Sequence, residues 1–158
     1  QLLPVGMLVV LDSVFNRIIR NRRLGRSTWV YIDEIYLLFQ HEYSANFLFT
    51  LWKRVRKYGA CCTGLTQNVD DLLQSHTART MLANSEFLVM LNQASTDRAE
   101  LARLLNISDN QLSYITNVDF GRGLIKCGSA IVPFMDHFPK NNLYRLMSTK
   151  PSEADAAV

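Results

Sequence analysis

The stretch TWVYIDEIYLLF, residues 28–39, decides how this chain is read. An apolar run rich in β-branched and aromatic residues meets two adjacent carboxylates, Asp33 and Glu34, and then apolar residues resume. Burying unpaired carboxylates is costly. The pair must therefore reach water at the end of a strand or meet something positive there. WVYID has the length and composition of a buried strand, so the carboxylates are placed at its carboxyl end.

Working outward, residues 5–23 read as a helix. Leu8, Leu11, Val14, Phe15 and Ile18 follow helical spacing, the arginines crowd its C-terminal end, and Gly25 stops it. A second helix is predicted over 43–58, closed by Gly59, and ACCTGLTQ (60–67) is a second run of strand length. VDDLL and 77–84 read as short helices, 86–93 as a third buried strand, and 96–106 as a helix. Ser108 before Gln111 is a capping signal for another. FGRGLIKCGSAIVPF (120–134) places glycines between β runs and predicts a hairpin. LYRLMST (143–149) reads as a last strand, and the polar tail 151–158 as frayed. Strands alternating with helices predict a mainly parallel α/β sheet covered on both faces, with a C-terminal β-hairpin. The domain is placed at 1–150.

Composition excludes little. Of 158 residues, 48% are hydrophobic and 20% charged, which suits one globular domain. No apolar run approaches the roughly 20 residues a bilayer span needs. Cys61, Cys62 and Cys127 lack metal-ligand spacing, and the histidines are scattered, so the cysteines read as small apolar residues in a reducing compartment. The net charge of +3 conceals an asymmetry: residues 1–60 carry +5 and residues 61–158 carry −2. The cations concentrate in RIIRNRRLGR (17–26) and KRVRK (53–57), clusters that suit phosphates, nucleic acid or acidic partners, and equally a solvated helix face. The chain opens at Gln1 in mid-segment and is read as a piece of a longer protein.

In parallel α/β sheets, ligands bind outside the carboxyl ends of the strands. There, one carboxylate can hold Mg²⁺ through its water shell and a second can orient and deprotonate a water, the division of labour that phosphoryl transfer to water requires. Asp33 as a mere helix cap is the plainer alternative. The second strand run ends in Thr66-Gln67-Asn68, polar groups that would address the same crevice. Gln67 could sense a γ-phosphate or hold the attacking water, or simply satisfy a turn.

Taken in order, VYIDEIYLLF, WKRVRKYGACCTGLTQNVDDLL, MLANSEFLVMLNQASTDRAEL and FGRGLIKCGSAIVPF resemble the C-terminal part of the conjugation ATPases of type IV secretion systems. These are the VirB-four-type proteins of the HerA/FtsK-like branch of RecA-like P-loop ATPases, especially those of Gram-positive conjugative elements. The resemblance reaches about residue 149. It implies a partial RecA-like fold and an ATPase using ATP and Mg²⁺. It makes Asp33 the magnesium-associated Walker B aspartate, Glu34 the catalytic glutamate, and Gln67, after Thr66, the sensor glutamine. It places Arg98, in STDRAEL, where an arginine finger acts on a neighbouring subunit; the alternative is a surface pair on its own helix. Arg56 is a second candidate for a phosphate-facing charge, with a solvated role favoured. The implied partners are further copies of the protein (a dimer or hexamer), other secretion components and DNA, at the cytoplasmic face of the bacterial membrane.

None of the seven glycines fits the phosphate-cradling loop G-x-x-x-x-G-K-[ST]. In the family that loop lies upstream of the Walker B strand, and its strand lies between the sensor strand and the next. With the phosphate-loop strand missing, the second and third strands are expected to close up, or a dimer to cover the open edge. Two other functions are weighed: a nucleic-acid-binding module using the basic clusters, and a structural assembly domain without catalysis.

Overall fold

The structure, a computed structural model, describes residues 2–147 and divides into two units, one of Gln1–Ser85 with Thr96–Asn106, the other of Glu86–Ser95 with Ile107 onward. The first begins with helix α1 (Leu2–Arg23). Its Leu11 and Ile18 are buried, Arg20, Arg22 and Arg23 occupy its last turn, and Gly25 follows in the left-handed conformation (φ 68°), where a side chain would be strained. Strand β1 (Thr28–Ile32) comes next, then a 3-10 turn (Ile35–Phe39) and helix α2 (Glu42–Arg54). A second 3-10 turn (Val55–Tyr58) and Gly59 (φ 65°) lead into strand β2 (Ala60–Gly64). Helices α3 (Val69–Gln74) and α4 (His76–Ala83) follow, and α5 (Ser95–Leu105) has all but its first residue in this unit.

β1 and β2 pair in parallel, Thr28 opposite Ala60 through Ile32 opposite Gly64. Alternation along β1 turns Val30 and Ile32 toward a core of Leu11, Ile18, Ile35, Leu48, Leu51 and their neighbours. Trp29 and Tyr31, 64% and 67% exposed, lie on the opposite face, in register with exposed Cys61 and Thr63. Among the described residues this sheet is therefore covered on one face, not the two expected. Ser44, in the first turn of α2, is fully buried. Its Oγ donates to the Leu38 carbonyl (2.6 Å), fastening the 3-10 turn that follows Glu34 to α2.

The second unit holds a three-stranded antiparallel sheet, β3 (Phe87–Met90), β4 (Arg122–Cys127) and β5 (Ala130–Met135), in that order. The hairpin expected over 120–134 is β4–β5, with Gly128 at its turn (φ 57°). Short helix α6 (Asp109–Leu112) starts at the expected capping box, Ser108 with Gln111. Two expectations are corrected. The strand read at 86–93 pairs antiparallel with β4, as an outer strand of the three-stranded sheet, and not in the parallel pair. Residues 142–147 form a short helix, α7 (Asn142–Met147), with the Asn141 side chain accepting from the Tyr144 N–H, where 143–149 was read as a strand. The tail read as frayed lies outside the described residues. No helix among them is long and apolar enough to cross a membrane.

Two outcomes follow from this packing. Ser44→Ala leaves the Leu38 carbonyl buried without its donor and is expected to cost about 1–3 kcal/mol, read from urea unfolding. The Cys62 thiol is pushed up to about 11, first by burial and second by the neighbouring Cys61 charge. At a pH of about 8 it stays protonated, so iodoacetamide should label exposed Cys61 and Cys127 and spare Cys62, as mass spectrometry would report.

Candidate functional site

The parallel register fixes the geometry. Because β1 and β2 run the same way and end opposite each other at Ile32 and Gly64, whatever follows each strand emerges at one rim. Asp33-Glu34 follows β1, and Thr66-Gln67-Asn68 follows β2 after Leu65. The ladder extends past the strand ends: the Leu65 N–H donates to the Ile32 carbonyl (2.8 Å), and the Ile35 N–H donates to the Leu65 carbonyl (2.9 Å). The acidic pair is thus tied on both sides to the chain leading into Thr66. Gly64 lets the Ile35 side chain pack closely on the end of β2, its terminal methyl lying where a Cβ would stand.

Held between these two bonds, Glu34 takes a left-handed conformation, φ 47° and ψ 47°. For an L-residue other than Gly this costs roughly 1–2 kcal/mol. Its N–H donates to Asp33 Oδ1 (3.0 Å). Its side chain carries a second cost: Oε2 is shut off from solvent and has no hydrogen-bond partner among the described residues. Asp33 is exposed, so its carboxylate is free to meet solvent or a cation. It does not cap the following 3-10 turn, whose capping position is Glu34.

Across the rim, Thr66 Oγ1 accepts from the Asn68 N–H (3.1 Å) and donates to the Asn68 carbonyl (3.2 Å). Asn68 caps α3, its Oδ1 accepting from the Asp71 N–H (3.1 Å). Thr66 and Asn68 are therefore engaged in building the turn. Gln67 is exposed between them and makes no hydrogen bond among the described residues.

The two arginines lie elsewhere. Arg56 is exposed in the 3-10 turn that precedes β2, hence at the amino end of the strands. Five residues of strand span about 16 Å, more than a side chain reaches, so the structure does not bring Arg56 to the carboxyl rim. Arg98 is half-buried in the first turn of α5. The surface pair considered for this helix is made by a different residue: Glu100 meets Arg79 of α4 at 3.3 Å, and Arg79 Nε also donates to the Leu73 carbonyl. Sequence reasoning missed this tie because the partners lie on separate helices. No group of three or more His, Cys, Asp or Glu side chains among the described residues is placed to enclose a metal. A single exposed carboxylate, Asp33, fits a cation that keeps most of its waters.

The family model of the TraG P-loop domain matches residues 1–122. The solved structure of VirB4 of Thermoanaerobacter pseudethanolicus is similar with a TM-score of 0.74 and 27% sequence identity. The match covers 82% of this chain and 36% of that one, so the chain spans about a third of the length of that relative. No curated protein matches.

The conformation of Glu34 gives a direct test. Glu34→Gly removes both the left-handed strain and the unpartnered carboxylate oxygen, at the expense of about 0.5–1 kcal/mol of added chain freedom. The variant is expected to be more stable by about 1–2 kcal/mol, seen as a higher melting temperature by circular dichroism.

Proposed function

Because the chain belongs to the TraG P-loop domain family, we propose that it supplies the water-activating half of an ATPase that powers conjugative transfer or type IV secretion. One observation carries this reading: two carboxylates and a Thr-Gln-Asn turn leave adjacent parallel strands at one rim, with Glu34 Oε2 unpartnered and its backbone strained. Strain and an unsatisfied carboxylate reduce stability, and both are features that cluster at catalytic positions. The likeness to VirB4 supports the same assignment.

In this reading Asp33, exposed at the strand end, would hold Mg²⁺. Magnesium bound with ATP supplies charge neutralisation of the phosphates. Glu34 accepts the proton of the attacking water. Gln67, unengaged beside it, orients the water or reads the γ-phosphate. Thr66 holds the turn that presents Gln67. Arg98 acts on the nucleotide of a neighbouring copy. The phosphate cradle is not among the seven glycine positions of this chain, so the residues present fit the metal and the water but not the triphosphate's full enclosure. The complete site then needs a further polypeptide segment, in an assembly of several copies working with other secretion components at the cytoplasmic face of the membrane.

Two measurements test this. The purified 158-residue chain is expected to show neither tight ATP binding nor magnesium-dependent turnover. In the full-length protein, Glu34→Gln is expected to keep ATP binding and lower kcat by about 10²–10⁴-fold, the range of a lost general base. Transfer that continues undiminished with Glu34→Gln would make the domain a scaffold instead.

A further inference from the structure

Glu34 is placed through the 3-10 turn that follows it, and hydrogen bonds hold that turn at both ends. At its start the Ile35 N–H donates to the Leu65 carbonyl (2.9 Å), and the Glu34 carbonyl accepts from the Leu37 N–H (3.0 Å). Toward its far end the Leu38 carbonyl accepts from Ser44 Oγ (2.6 Å). Ser44 is the one polar residue among those described that is fully buried. A serine in the first turn of a helix can instead bond back to the carbonyl three residues before it, an arrangement local to the helix. Here that carbonyl belongs to His41, lies farther away at 3.0 Å, and already accepts from the Ala45 N–H (3.0 Å). A hydroxyl has one proton to give, and the shorter contact takes it. The bond therefore reaches out of α2 to the turn before it.

Ile35 and Leu38, from the same turn, are buried in the core. Their burial holds the turn against the core, but apolar attraction is non-directional and leaves it free to roll. The Ser44 bond is directional, and the Leu38 carbonyl cannot swing away without breaking it. It fixes the angle at which the chain leaves Glu34, whose backbone sits in the left-handed region (φ 47°, ψ 47°). Such strain persists only where the surroundings over-determine the conformation. Leu65 supplies one constraint from the neighbouring strand, and Ser44 supplies another from α2.

We propose that Ser44 is a positioning residue for proton transfer: through the Leu38 carbonyl it holds the Ile35–Phe39 turn, and with it Glu34, in the conformation from which the carboxylate meets the attacking water. The proposal rests on the function proposed above, since it needs Glu34 to be the base. Being buried, Ser44 touches neither nucleotide nor water and acts only through the turn. A misplacement of about 1 Å in a reacting group costs up to about 10²-fold in rate. Nucleotide affinity, which Glu34 does not supply in that reading, is untouched.

The test is made in the full-length protein. Ser44→Ala is expected to lower kcat for ATP hydrolysis by about 10- to 10²-fold and to leave KM for ATP unchanged. Added to Glu34→Gln, the same change should have no further effect on the residual rate, because no carboxylate is left to misplace. Ser44→Cys keeps the side-chain size with a weaker donor; it should lower kcat severalfold, and it carries the test if the alanine variant does not fold. Ile18→Val, a core change on α1 away from the turn, should leave kcat unchanged. In the 158-residue chain, Ser44→Ala should speed amide hydrogen exchange at Ile35 and Leu37 and leave the β1–β2 ladder as it was, a readout that needs no nucleotide. Unchanged kcat in both Ser44 variants, the same fold loss with and without Glu34→Gln, an equal loss in Ile18→Val, or exchange that quickens uniformly over the first unit would overturn the proposal. Failure of the underlying reading shows in a different arm: Glu34→Gln by itself would then leave kcat unchanged, and the proposal would fall with it.

Discussion

Two hydrogen bonds beyond the ends of β1 and β2 set the chemistry of this chain. The Leu65 N–H reaches back to the Ile32 carbonyl, and the Leu65 carbonyl accepts from Ile35. They leave only Asp33 and Glu34 to turn the chain between two fixed points. A turn that short needs a left-handed residue, and Glu34 takes that conformation. Gly64, at the end of β2, lets Ile35 pack where a Cβ would stand. The Ser44 bond to Leu38 then holds the far side of the 3-10 turn. The carboxylates are therefore positioned by backbone pairing and packing rather than by their own side-chain contacts.

The elements of the first unit were legible because each rests on local information. β1 and β2 are short apolar runs bounded by turn residues, α1 has a helical stripe, and Gly25 and Gly59 stand where the chain takes positive φ. The partner of β3 was not legible. Its alternating burial is compatible with either sheet, and the choice depends on Gly123, which lets the Met90 carbonyl approach closely, some thirty residues away in the chain. Residues 142–147 misled because Leu, Tyr and Met fit either periodicity over so short a span. The hydrogen bond from Asn141, which starts the helix, decided it.

At the site, composition and order were enough to place Asp33, Glu34 and Gln67 at one rim, since a parallel pair sends both carboxyl ends the same way. The left-handed backbone of Glu34 was not readable, because it is set by hydrogen bonds to Leu65, just past the end of the neighbouring strand. Arg56 illustrates the converse. Its charge suggested a phosphate partner, but a residue preceding a strand and a residue following its parallel neighbour stand at opposite ends. That separation could have been drawn from the topology alone.

The same separation gives the first unit two chemically distinct ends. One carries Asp33 and Glu34, joined by Asp70 and Asp71 in the first turn of α3; the other carries the arginines of α1 and the 3-10 turn. The strands hold them about 16 Å apart, twice the Debye length of about 8 Å at physiological ionic strength. Charge at one end therefore reaches the other only weakly through solvent. The backbones of β1 and β2 connect the two ends, and so does α2, which Ser44 fastens to the turn after Glu34 and which ends at Arg54. Along the strands the strained link is Glu34, so a displacement of the strands would be felt at the residue proposed to take the proton.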